Sequence, residues 1–221
     1  MVKPLASGNE PSALADNIVV LDFETTGLSP DNGDRAIEIG AVRIRNGVIV
    51  EEFQQLMNPG RQVNTFIADY TGINNHMLAN ALPCAEVMSQ FCEFLGEDNL
   101  LAHNASFDQR FLDNELKLID HHYSGEFTCS LLIARRLLTE AKSHSLGNLV
   151  KHCQLAGDGQ FHRALFDAQM TAKLWLVMLD KIKVDYGIEQ ITFSLMQQIS
   201  CTPKKSVAKL LQNYHVQQCQ Y

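Results

Sequence analysis

The chain has 221 residues and a formal net charge of −7, with 46% hydrophobic and 19% charged residues. That balance excludes a disordered chain and allows one sizeable core with an appendage. It also excludes a protein that coats nucleic acid by charge alone, though not an enzyme with a local acidic site.

The first 16 residues lack the apolar centre of a signal peptide and read as a flexible arm. No apolar run approaches the roughly 20 residues of a membrane span, so no membrane partner is expected. Six cysteines (84, 92, 129, 153, 201 and 219) show neither metal nor disulfide spacing and read as reduced thiols of a cytoplasmic protein.

The first element is a strand, "IVVLDFETTGL". Ile18 to Leu21 form the continuous apolar run of a strand covered on both faces. Asp22 and Glu24 then break it, and the period of two puts both carboxylates on one face, opposite Phe23. Two like charges about 4 Å apart repel by roughly 4 kcal/mol at an effective dielectric near 20. A hard divalent cation, magnesium or manganese, relieves that repulsion.

Residues 35–59 read as a hairpin turning at Asn46-Gly47, closed by Pro59-Gly60. "CAEVMSQFCEFLG" has helical apolar spacing with Gly96 as its stop. "NLLAHN" is a short strand running into a helix, "SFDQRFLDNELKLI", where Ser106 and Gln109 fit a capping box and Asp108 falls in the first turn. "FTCSLLIARRLL" is a further strand and helix, and "SLGNLVKHC" a short helix behind His144. After the loop "DGQF" comes "HRALFDAQMTAKLWLVMLDKI", a long helix with His162 before it and Asp167 one turn inside.

The order β-β-β-α-β-α-β-α-α is that of an α/β layer fold with a mixed sheet. A boundary near Tyr186-Gly187 separates residues 17–186 from a small helical extension, 187–221. From Ser200 onward that extension carries Lys204, Lys205 and Lys209 and no acid.

Taken together, D-x-E at a strand end, H-N-A-x-F-D at a strand-to-helix junction and H-x-x-x-x-D opening a helix resemble the DEDDh 3′→5′ exonucleases. "LDFETTGLSP", "AHNASFD" and "HRALFDAQ" look most like the proofreading, DNA polymerase III epsilon-like branch. The resemblance implies an RNase H-like exonuclease fold with a mixed five-stranded sheet flanked by helices. It implies that Asp22, Glu24, Asp108 and Asp167 hold two Mg2+ or Mn2+ ions, and that His162 is the general base. The products would be nucleoside 5′-monophosphates cut from a single-stranded or frayed 3′ end, DNA being favoured over RNA.

It further implies that Thr25, Thr26, Gly27 and Leu28 touch the terminal nucleotide, with Ile73, Met77, Asn104 and Phe107 walling the pocket. Relatives commonly carry His-Gly-Ile where this chain has Thr71-Gly72-Ile73. "QITFSL", from Gln190 to Leu195, resembles the peptides by which such exonucleases dock on a sliding clamp. An amphipathic helix packed on the main domain is the competing reading of that segment.

Two rival functions start from the same residues. Haloacid dehalogenase-like phosphatases open with D-x-D-x-T but need a later G-D-x-x-x-D, and here Gly157-Asp158 is followed at the last position by His162. An inactive binding module would be expected to have lost at least one of the five site residues.

Overall fold

The computed structural model describes residues 13–157, 159 and 161–218, leaving Cys219, Asp158 and most of the expected N-terminal arm outside the described residues. Three antiparallel strands come first: β1 (Ile18–Thr25), β2 (Ala36–Arg45) and β3 (Val48–Asn58). Helices α1 (Thr65–Thr71) and α2 (Asn75–Ala79) follow, then β4 (Leu82–Pro83), α3 (Cys84–Leu95), β5 (Leu100–Ala102) and α4 (Ser106–Lys117). The chain continues through β6 (Phe127–Cys129), α5 (Ser130–Leu137), α6 (Leu146–His152), α7 (Ala164–Tyr186), α8 (Phe193–Cys201) and α9 (Val207–Gln218).

The sheet is mixed, in the order β4-β3-β2-β1-β5-β6, so it has six strands rather than the expected five. The extra strand, β4, is two residues pairing in parallel with the end of β3. It is too short to show an alternating pattern, and its proline is tolerated because it lies at the edge. Helices α1 and α2 were also unexpected. Each is short and starts on an asparagine cap: Asn64 Oδ1 accepts from Ile67 N, and Asn74 Oδ1 from Met77 N.

β1 is central and divides the core by parity. Ile18 and Val20 face one layer with Trp175, Met178 and Ile182 of α7, while Val19, Leu21 and Phe23 face the other with Phe91 of α3 and Phe111 of α4. Asp22 and Glu24 continue the first parity, so they emerge on the α7 side. Asp22 pairs with Gly40 and Glu24 with Glu38 across the β1–β2 ladder. A Cβ on Gly40 would lie 2.0 Å from Leu165 N, so only glycine lets the first turn of α7 lie directly on the sheet.

The C-terminal helices join the α7-side core. Ile188, Ile191, Phe193, Leu195, Ile199 and Leu211 all belong to it. Phe193 is 2% exposed and Leu195 fully buried, so the Gln190–Leu195 segment is not available as a clamp-docking peptide. Its hydrophobics pack on the protein itself, as the amphipathic reading expects. Ala15 N donates to Ile191 O and Phe193 N to Ala13 O, while Trp175 Nε1 donates to Ala15 O. Cys84, Cys92, Cys129, Cys153 and Cys201 are unpaired thiols. Among the described residues no helix is long and apolar enough to cross a membrane.

Candidate active site

Four acids meet at the C-terminal end of β1. Asp22 and Glu24 come from the strand, Asp108 from the first turn of α4 and Asp167 from the first turn of α7. Asp108 Oδ1 accepts from Phe23 N at 3.1 Å, which ties the start of α4 to the strand between the two acids. Asn104, with φ +72°, makes the left-handed turn from β5 into α4. The expected capping box does not form. The helix enters through Ala105 without a side-chain cap, and Gln109 Nε2 donates to Tyr123 Oη instead.

Two buried glutamates anchor the two acid-bearing helices to β2. Glu115, on α4, accepts both Arg35 Nε and Arg35 Nη2 at 2.7 Å and also Ala36 N. Glu38, on β2, accepts Arg163 Nη2 at 2.7 Å, Arg163 Nε, Ala164 N and Gln54 Nε2. Each carboxylate is 0–1% exposed, a position an acid tolerates only when paired and hydrogen-bonded. Neither pair was identified from the sequence. The available signal was an acid between Ile37 and Ile39 in a strand whose neighbours are all apolar.

Among the described residues the four site acids have no comparable neutralising partner. Burial and the charges of Asp108, Asp167 and Glu24 push the Asp22 pKa well above its usual range. Burial, then Asp167, raises Glu24 to about 8. Burial is also the main cause that lifts Asp108 to about 7 and Asp167 to about 6, against the lowering effect of the backbone amides they accept. Arg163 counteracts the rise at Glu24, but weakly. Oxygen donors that repel one another in a desolvated cleft suit hard divalent cations.

His162 stands beside these acids with φ +66°, and its N–H donates to Asp167 Oδ2 at 2.8 Å. An imidazole nitrogen and one oxygen each of Glu24 and Asp167 lie within 4.8 Å of one another. Burial lowers the His162 pKa, which keeps the ring neutral. Gly157 and Gly159, just before His162, serve close packing. A Cβ at either would come within 2.9 Å of Phe166.

A cleft of about 1010 Å³ opens over these groups, lined by Thr25, Thr26, Gly27, Leu28, Asn104 and Phe107 among others. Asp34 shapes one wall: it accepts from Thr26 Oγ1 and Ser29 N, and a Cβ on Gly27 would lie 2.4 Å from it. Leu28 is 77% exposed at the mouth. Ile73 and Met77 do not reach the cleft. The left-handed turn at Gly72 sends Ile73 inward onto Ile37, Val63 and Leu78, and Met77 lines a separate groove beside Gln55 and Leu56.

Several lining residues were missed, Phe66, Tyr70 and His103 among them. Phe66 and Tyr70 of α1 form one lip, and His103 lies at the base. Burial drives the His103 pKa down to about 4, and its ring bridges Ser130 Oγ and His144 O. His144 itself bonds Leu138 O and does not line the cleft.

A family model described as Exonuclease (RNase_T) matches residues 19–175. The DNA polymerase III PolC-type protein of Thermotoga maritima is 40% identical over 166 residues, 75% of this chain and 12% of that one. Its counterpart in Caldanaerobacter subterraneus subsp. tengcongensis is 35% identical over 189 residues, 86% of this chain and 13% of that one. The chain thus spans about an eighth of the length of these curated relatives. Exonuclease X in complex with 5′ overhanging duplex DNA superposes with a TM-score of 0.65 at 27% identity, covering 83% of this chain and 99% of that one.

Proposed function

This chain belongs to the exonuclease (RNase_T) family, and on that footing we propose that it cuts nucleoside 5′-monophosphates from the 3′ end of DNA by metal-dependent phosphodiester hydrolysis. The observation that carries the reading is the convergence of Asp22, Glu24, Asp108 and Asp167, whose pKa values are all pushed up by burial and by neighbouring carboxylates. These four residues would hold two Mg2+ or Mn2+ ions. When bound, such ions neutralise the phosphate and lower the pKa of water.

The chain's own groups do the rest. His162, neutral and beside the carboxylates, accepts the proton of the attacking water. With four carboxylates available, a hard ion has no need of the imidazole, so His162 acts as base rather than ligand. Thr25, Thr26 and Gly27 form the floor on which the terminal nucleotide rests, and the exposed Leu28 meets a base. Asn104 and Phe107 close the other side.

A DNA substrate is supported by the relatives. The PolC-type proteins are named DNA polymerases, and Exonuclease X was captured on duplex DNA. The PolC-type relatives carry this domain as a small part of a polymerase, so a polymerase is the protein partner we propose. The test is degradation of matched single-stranded DNA, single-stranded RNA and duplex DNA with a mispaired 3′ end, with magnesium or manganese. Faster release of mononucleotides from the two DNA substrates supports the proposal. Faster release from RNA moves the chain to the RNA-trimming side of the family.

A further inference from the structure

The proposed chemistry, on which this inference rests, leaves His162 with a positioning problem. Its N–H to Asp167 fixes the main chain only. Among the described residues its imidazole makes no hydrogen bond, although a general base works only when its nitrogen is held within reach of the proton. A second group must therefore set the ring.

That group comes from 92 positions earlier in the chain. Tyr70, on α1, lies against His162 with ring centroids 3.9 Å apart and planes inclined by 33°. Phe66, one turn back on the same helix, stacks on Tyr70 at 5.8 Å and 12°. Tyr70 thus has ring contacts with both Phe66 and His162, and all three line the cleft.

Helix α1 is built to present it. Ile67, Ala68 and Thr71 turn inward, the first two against Ile37, Val63 and Ile73, while Thr71 Oγ1 donates to Ile67 O. That leaves Phe66 71% and Tyr70 50% exposed on the opposite face. Two aromatic side chains left so open on a seven-residue helix contribute little to the core, and both line the cleft.

We propose that Tyr70 is the positioning residue of the general base: its ring sets the plane and reach of the His162 imidazole. The phenol oxygen is not needed for this role; the ring is. Displacing a reacting group by about 1 Å costs on the order of 100-fold in rate.

The test is a double-mutant cycle on the full chain, assayed on a single-stranded DNA oligonucleotide with Mn2+. Tyr70→Ala and Tyr70→Leu should lower kcat by roughly 10- to 100-fold with KM little changed, and Tyr70→Phe should keep most of the activity. In a His162→Ala background, Tyr70→Ala should cost nothing further. An equal loss in that background would mean that Tyr70 acts on substrate, and the proposal would be wrong. Independently of activity, the imidazole proton resonances of His162 should move in Tyr70→Leu as the ring current is lost, while the thermal unfolding midpoint stays close to the parent's. Resonances that stay in place would overturn the proposal as well. Unchanged turnover in His162→Ala alone would instead strike at the general-base reading beneath it, so the two failures are told apart.

Discussion

Raising the pH of the metal-free protein from 6.5 to 8 should destabilise it. Glu24 keeps its proton in the folded chain up to about pH 8, whereas an unfolded glutamate, with an ordinary value of 4.5, is already ionised at 6.5. The folded state thus holds the extra proton across this window, and stability falls as pH rises. Over about 1.5 pH units at about 1.36 kcal/mol each, Glu24 alone accounts for at most about 2 kcal/mol, less what water at the cleft mouth screens. For a chain of this size that is a fall of about 4–8 °C in the unfolding midpoint. His103, with its pKa near 4, has the opposite slope mainly below about pH 6.5 and offsets only about 0.4 kcal/mol above it, so it does not mask the effect. The assay is thermal unfolding in EDTA at several pH values, repeated with Mn2+ and with Glu24→Gln. Manganese at 100 times its Kd should restore about 2.7 kcal/mol, and the substitution should flatten the slope. A midpoint that is constant or rises between pH 6.5 and 8 in EDTA would refute the claim that the site acids are desolvated and mutually repelling.

Other substitutions test separate parts of the account. Gly40→Ala forces a Cβ onto the backbone of α7 and should cost about 1–3 kcal/mol, with a disproportionate loss of turnover as Asp167 shifts; urea unfolding and kcat measured together check this. Glu115→Ala leaves Arg35 and Ala36 N unpaired beneath α4 and should cost about 3–5 kcal/mol by the same unfolding assay. Phe193→Ala should cost about 3–5 kcal/mol, because the residue is part of the core; a stability change near zero would reopen the docking reading of that segment.

The convergence of the four acids was legible because each motif couples a chemical residue type to a local element the sequence announces. The apolar run before Asp22 locates the end of the strand, and period two sends Asp22 and Glu24 to one side. The helix starts likewise place Asp108 and Asp167 in first turns. What stayed hidden depends on contacts between distant segments. Tyr70 meets His162 only because α1, too short to show periodicity, folds over the cleft. Glu38 looked like one acid in a strand until α7 delivered Arg163 and Ala164 N to it. Ile73 and Met77 failed as wall residues because the turn at Gly72 redirects the chain, which spacing alone does not reveal.

The central claim is that four converging carboxylates support stepwise hydrolysis from a 3′ end. Its most direct test follows a single-stranded DNA labelled at its 5′ end, with magnesium or manganese, for the parent chain and for Asp108→Asn. The substitution keeps an oxygen that can accept from Phe23 N but removes one negative donor. The account predicts a ladder shortening one nucleotide at a time from the 3′ end with the parent, and almost no product with Asp108→Asn or in EDTA. Internal cuts from the parent, or undiminished shortening by Asp108→Asn, would contradict it.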